Sequence, residues 1–277
     1  MFLILSETYS DIMTPQQLLS HYDCAQLWSH APGLDPVFDI AAAYQSSLAV
    51  RELRKSRGEV PRGYKIGFTN RNIWPRYNVS SPIWGTVWSS TWQYCDGQGS
   101  VDLSGTCQPR IEPEAVFGLR AAPPPDATLE QLFDCLDWVA PGFEIVQSHL
   151  PDWKFTAADA VADGALHARL LVGRKVGVRE VSASALSFDQ QLAAATVSLV
   201  QGGKTVELGR GANVLEGPLH ALHHFMGELR NCPNAPDLQA GDVITTGTWT
   251  DAWPVSPGQT WSAHFSAPLS RLDVSFE

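Results

Sequence analysis

The chain opens, after a few apolar residues, with TPQQLLSHYDCAQLW (14–28), where Leu18, Leu19, Tyr22, Ala25 and Leu27 recur at mostly helical spacing behind Thr14 as N-cap and Pro15 at the first helical position. That pattern predicts a helix over 14–28. Ala31-Pro32-Gly33 breaks it, and DIAAAYQSSLAVRELRK (39–55) predicts a second helix with Tyr44, Leu48 and Leu53 on one side. Residues 1–60 therefore read as a helical cap packed on the rest of the chain. Pro61–Thr69 alternates apolar residues with Lys65 and predicts a strand. The segment 71–99 is dense in turn formers and aromatic residues (Trp74, Tyr77, Trp84, Trp88, Trp92, Tyr94), as either β-rich core or a pocket wall requires.

The apolar run 110–119 predicts another strand, and the stiff AAPPPD linker (121–126) leads into TLEQLFDCLDWV (128–139), which reads as helical. Pro141–Val146 and Leu170–Gly173 read as short strands, with Ala157–Ala168 helical or turn-like between them. Gly202-Gly203 between two β-type runs (196–200 and 205–208) marks a hairpin. A helix beginning near Gly217-Pro218 presents Leu219, Leu222, Phe225, Met226 and Leu229 as a core face. Residues 238–248 read as a turn and a strand opening into a Gly/Thr loop, and 255–276 as closing strands. With no linker marking a further boundary, 61–277 reads as one catalytic unit of an α+β protein.

Composition narrows the function. A chain of 277 residues with 44% apolar positions can bury a sizeable core. A net charge of −10 and a pI near 5.2 argue against nucleic acid or an anionic membrane as partner. Met1–Leu5 is too short for a signal peptide, and no apolar run approaches the roughly 18 residues of a membrane span. The five cysteines lack C-x-x-C spacing, so a reducing cytoplasm is the expected compartment.

The chemistry concentrates in a few polar residues set among apolar ones. Glu112 and Glu114, two apart in a strand, point to the same side, and Pro113 between them fixes the backbone. Either they lie on a solvated face or a hard divalent cation removes their mutual repulsion. Glu144, in Phe143-Glu144-Ile145-Val146, is a third carboxylate of the same kind. Lys65 is either solvated or partly buried, and a buried lysine suits proton transfer or a carboxylate partner. The Thr246-Gly247-Thr248 loop offers N–H groups and hydroxyls to an anion. His220 and His224 are four apart, but Ala221 stands where the zinc-protease pattern needs Glu, so a surface or packing role is expected.

Taken in order, Y-K-I-G-F-T (64–69), E-P-E (112–114), F-E-I-V (143–146), V-A-D (161–163), G-P-L (217–219) and A-G-D-V-I-T-T-G-T (240–248) resemble the 2-keto-4-pentenoate hydratase and 4-oxalocrotonate decarboxylase family, of the fumarylacetoacetate hydrolase superfamily. The resemblance runs from about Asp35 to the end. It implies a mixed β-roll core with peripheral helices, a Mg²⁺ or Mn²⁺ ion held by Glu112, Glu114 and Glu144, and a homo-oligomer. It further implies a small 2-oxo acid substrate whose enolate the metal stabilises as Lewis acid. Lys65 and Asp163 would assist proton transfer, and Trp84, His149, Thr246, Gly247 and Thr248 would contact substrate.

The expected activity is that of a hydratase, with decarboxylation next. Acylpyruvate C–C hydrolysis using His149 to activate water, and a metal-binding member without catalysis, are further readings. Three departures bear on the choice: Ile83, Gln147 and Leu166 stand where the family commonly carries polar residues. The tryptophans near 74–92 suggest a bulky or aromatic substrate tail.

Overall fold

The computed structural model describes residues 12–277, so the Met1–Leu5 segment lies outside the described residues. Helix α1 (Pro15–Cys24) starts on a capping box in which Thr14 and Gln17 satisfy each other's backbone N–H groups, and a left-handed Ala25 ends it four residues short of Trp28. Helix α2 (Ile40–Ser56) is capped by Asp39. Strand β1 (Pro61–Gly67), helix α3 (Trp74–Tyr77), strands β2 (Ile83–Trp88), β3 (Trp92–Tyr94), β4 (Gln98–Val101) and β5 (Arg110–Leu119), and helix α4 (Leu129–Asp134) come after it.

Strand β6 (Leu136–Val146) begins where helix was expected to continue to Val139. Its pairing with β5 runs from Leu119 opposite Leu136 to Arg110 opposite Val146, and this long ladder overrides the local helical pattern. Then come α5 (Ala157–Ala162), β7 (His167–Val172), β8 (Val176–Gly177), α6 (Val178–Val181), α7 (Ala185–Ala194), the hairpin β9 (Thr196–Gln201) and β10 (Lys204–Arg210), α8 (Pro218–Asn231), β11 (Val243–Thr245), β12 (Trp253–Pro254), β13 (Thr260–Phe265) and β14 (Leu272–Phe276). Helix α7, with Phe188 and Leu192 buried, is an element the sequence pattern did not reveal.

Two sheets organise these elements, as the α+β reading expected. The larger has nine strands, in the order β2-β1-β11-β5-β6-β7-β3 with β12 and β8 joined to β5 and β6. The smaller runs β10-β9-β13-β14-β4. Side chains alternate across the large sheet. One face (Tyr64, Ile66, Trp84, Ile111, Phe117, Phe143 and Ile145) joins the main core with the small sheet and the buried face of α8. The N-terminal segment packs largely elsewhere: Leu18, Trp28, Phe38 and Ala43 meet Ile83, Val146, α5 and the turn Ala165-Leu166 in a second cluster, while Tyr44 and Leu48 of α2 lie against the main core. Through Ile83, Val146 and Leu166 that cluster reaches the space beside Lys65 and Glu112.

Candidate metal centre and adjoining cavity

The opposite face of the large sheet carries charge. On β5, Glu112 and Glu114 share a side, as the alternation predicts, and the β5–β6 register sets Glu144 directly across from Glu112. The three carboxylates bring one oxygen each within 4.8 Å of one another. Glu114 and Glu144 are fully buried and Glu112 partly so. Such a cluster is costly without a counter-charge. Burial pushes the Glu112 carboxyl up to about 7, against Lys65 and with help from Glu144. Burial together with the Glu144 and Glu112 charges pushes Glu114 well above the usual carboxylate range.

Neighbours fix the orientation of the two buried carboxylates. Glu114 Oε2 accepts from the Thr245 hydroxyl and, at 2.7 Å, from the Gly247 N–H, while its Oε1 has no partner. Gly247 has φ +99°, and a Cβ there would lie 1.9 Å from Thr69 Oγ1, so only glycine lets this N–H reach Glu114. Glu144 Oε1 lies 2.8 Å from His167 Nδ1, and His167 Nε2 lies 2.8 Å from the Thr91 hydroxyl. Burial holds His167 below its ordinary pKa, so the neutral ring donates from Nδ1 and receives the Thr91 proton at Nε2. Glu144 Oε2 faces Lys65 Nζ at 3.2 Å but takes no well-directed hydrogen bond.

Lys65 is buried, on β1 beside Thr245. Burial works to lower its pKa, yet the charges of Glu144, Glu112 and Glu114 prevail and hold the ammonium above its ordinary value. Its Nζ donates to the Ala165 carbonyl at 2.9 Å. That carbonyl belongs to a turn in which Gly164, Ala165 and Leu166 all have positive φ (64°, 55° and 67°). Two non-glycine residues there carry backbone strain, of about 1–3 kcal/mol each. Gly85, paired with Lys65 across β1–β2, lets the turn approach, since a Cβ would meet the Gly164 oxygen at 2.2 Å.

Asp163 anchors the same turn but faces away from the carboxylates. Its Oδ2 accepts from the His149 N–H at 2.9 Å and its Oδ1 lies 2.5 Å from His149 Nδ1. Burial opposes charge on His149, but Asp163 outweighs it and pushes the imidazole up to about 10. The ring also stacks on Trp28, whose backbone N–H donates to the His149 carbonyl at 2.7 Å. This pair thus ties the N-terminal segment to the turn.

A cavity of about 220 Å³ opens beside the carboxylates, lined by Lys65, Glu112, Gly247 and Thr248 among the residues singled out from sequence. Four others lie elsewhere. Trp84 points into the main core, stacked on Tyr44, because the alternation of β2 turns its neighbour Ile83 to the cavity. His149 and Asp163 are engaged with each other, and the Thr246 hydroxyl donates to the Ala115 carbonyl. Of the three departures, Ile83 and Leu166 line the cavity, whereas Gln147 accepts from the Cys107 N–H. The aromatic lining comes from Phe68, Tyr77, Trp153 and Phe155 rather than from the tryptophans at 74–92. Thr245, His167 and Thr91, which orient the carboxylates, carry no local sequence signal of that role. His220 meets Asp189 at 3.3 Å, in keeping with a surface role.

A 2-hydroxyhexa-2,4-dienoate hydratase of Comamonas testosteroni is 32% identical over 225 residues, covering 80% of this chain and 81% of the relative. The chain belongs to the 2-keto-4-pentenoate hydratase and 4-oxalocrotonate decarboxylase family. A 2-keto-4-pentenoate hydratase of Burkholderia vietnamiensis is 30% identical across 87% of both chains, and a 4-oxalocrotonate decarboxylase of a Pseudomonas species is 30% identical across 79% of both. No family model matches the chain. Among solved structures, the 4-oxalocrotonate decarboxylase of Pseudomonas putida G7 complexed with magnesium and adipate superposes with a TM-score of 0.84 at 26% identity over 95% of each chain. A fumarylpyruvate hydrolase of Pseudomonas aeruginosa (TM-score 0.59, 16% identity, 78% of this chain and 89% of that one) shares the fold. No helix among the described residues of this family member is long and apolar enough to cross a membrane.

Proposed function

We propose that the protein is a divalent-metal-dependent lyase of the hydratase type, acting on an unsaturated 2-oxo acid. The observation that carries this reading is the set of three clustered carboxylates, of which Glu112 lines a cavity, Glu114 keeps one oxygen without a partner and Glu144 turns one toward the buried Lys65. An all-oxygen donor set fits a hard cation, so Glu112, Glu114 and Glu144 would hold Mg²⁺ or Mn²⁺. Bound there, such an ion supplies Lewis-acid polarisation of the 2-oxo group.

The chain's own residues do the rest. Thr245 and Gly247 hold one Glu114 oxygen so that the other stays turned to the site, and His167 does the same for Glu144. Lys65 Nζ, fixed by the Ala165 carbonyl, offers an N–H to negative charge that develops on the substrate and holds a proton for transfer to or from it. Gly247 and Thr248 line the entrance above. Asp163 acts in this scheme by holding the turn that fixes Lys65.

Decarboxylation is the second reading, and Ile83, Val146 and Leu166 favour it. This apolar floor offers no base to activate water, and release of carbon dioxide needs none. Acylpyruvate cleavage gains no support, because its candidate base His149 is turned toward Asp163 and Trp28. Incubating the protein with Mg²⁺ and 2-hydroxypenta-2,4-dienoate or its longer homologues, and following loss of dienol absorbance, tests the hydratase. Carbon dioxide release from 2-oxohex-3-enedioate tests the alternative, and metal-dependent turnover of neither would overturn both. The reading includes self-assembly in a reducing cytoplasm, consistent with five unpaired cysteines and checked by light scattering.

A further inference from the structure

Four aromatic rings face the cavity, and they come from separate parts of the chain: Phe68 just after β1, Tyr77 in α3, and Trp153 and Phe155 between β6 and α5. They form one continuous wall. Phe68 and Tyr77 stack with centroids 4.6 Å apart at 22°, Tyr77 and Phe155 at 5.5 Å and 12°, and Trp153 meets Phe155 at 6.0 Å and 57°. Phe68, Trp153 and Phe155 also touch the second apolar cluster, yet all four rings stay only partly buried and border a space continuous with Glu112 and Lys65.

Two of the rings sit on unusual backbone. Phe68 and Trp153 have φ of +56° and +58°, a region that bulky L-residues rarely adopt. Such outliers gather at ligand sites, where the surroundings hold them. Ile83, Val146 and Leu166 add apolar surface to the same space. The cavity that these residues share with Lys65 and Glu112 has a volume of about 220 Å³. Arg76 over Tyr77 and Arg110 over Trp153 (5.4 Å and 4.2 Å to the ring centroids), with Asp251, complete its charged rim.

We propose that this outer compartment is an aryl subsite, so that the 2-oxo acid whose head lies at Lys65 and the carboxylates ends in a phenyl-sized aromatic ring. The inference rests on the proposed head site and deepens it. A planar ring conjugated to the unsaturated acid fits a space lined by apolar and aromatic side chains, and the preformed stack spares the ordering of flexible side chains on binding.

The test is calorimetric binding to the full chain with Mg²⁺, using three probes: oxalate, 2-oxopent-3-enoate and trans-2-oxo-4-phenylbut-3-enoate. The phenyl compound is expected to bind about tenfold more tightly than its methyl counterpart, or better. Phe155→Ala should shrink that ratio severalfold. Phe155→Leu, which keeps apolar bulk and guards against misfolding, should shrink it in the same direction. Mg²⁺-dependent oxalate binding with no phenyl preference overturns the subsite alone. Absence of Mg²⁺-dependent binding by all three overturns the head site and the subsite with it.

Discussion

Replacing Glu112 by Gln separates a metal seat from a merely structural cluster. The Glu112 carboxyl is pushed from 4.5 to about 7 in the metal-free fold, a difference worth about 3 kcal/mol. Because the folded state holds this proton more tightly than the unfolded chain, the stabilisation is fully present below about 4.5 and is lost as pH rises through about 7. Glu114, also raised by burial and by its carboxylate neighbours, acts in the same direction. In a chain of this size 1 kcal/mol moves Tm by about 2–4 °C, so E112Q in EDTA should melt roughly 6–12 °C above the parent at pH 8 and close to it at pH 5. Mg²⁺ closes most of that gap: at a hundredfold excess over Kd it stabilises the parent by about 2.7 kcal/mol, and E112Q should lose most of that response. Differential scanning calorimetry at pH 5–8, with EDTA and with Mg²⁺, measures both. Groups remote from the cluster cancel in the difference, whereas Glu114 and Lys65, both raised by the Glu112 charge, titrate lower in E112Q. Parallel Tm profiles in EDTA, or an undiminished Mg²⁺ shift in E112Q, would refute the reasoning.

Lys65→Met should lower turnover by about 10²–10⁴-fold while calorimetric Mg²⁺ binding persists; unchanged turnover would remove Lys65 from the chemistry. Gly247→Ala forces a Cβ against Thr69 at φ +99°, so urea melts should show a loss of about 1–3 kcal/mol, together with a weaker Mg²⁺ response as the N–H to Glu114 shifts. His149→Leu leaves Asp163 buried without its cation and should cost about 3–5 kcal/mol, part of it recovered in the H149L/D163N double variant. In the parent, the same pair makes stability fully present below about 6.5 and lost as pH rises through about 10, which urea midpoints at pH 6 and pH 10 will show.

Local rules carried the sequence reading a long way. Thr14 and Asp39 cap helices as their side chains require, Gly202-Gly203 turns a hairpin, and α8 buries its five core-face residues. The alternation of β5 alone places Glu112 beside Glu114. What sequence left out was tertiary. Nothing local states that Glu144 lies opposite Glu112, because register is decided by which strands meet and how they are buried. The resemblance put Trp84 at the substrate, but the alternation of β2 turns Ile83 to the cavity and Trp84 to the core. Asp163 carries a suggestive motif, but only the folded turn shows it facing His149 rather than the cavity. His167 stood in a segment read as helix or turn, with no signal of the strand that aims it at Glu144.

The β5–β6 ladder also sets what this lineage can alter. Glu112, Glu114 and Glu144 belong to one register, with irregularities only at its margins, between Gly118 and Leu119 and, on the β7 side, between Ile145 and Val146. Inserting or deleting a single residue between those margins would turn a carboxylate to the far face of the sheet. The register places no such demand on wall residues such as Ile83 and Leu166, or on the length of the Ala121–Asp126 connection. The spacing along the two strands is fixed, so change in this scaffold must come through substitution at the walls and through the lengths of its loops.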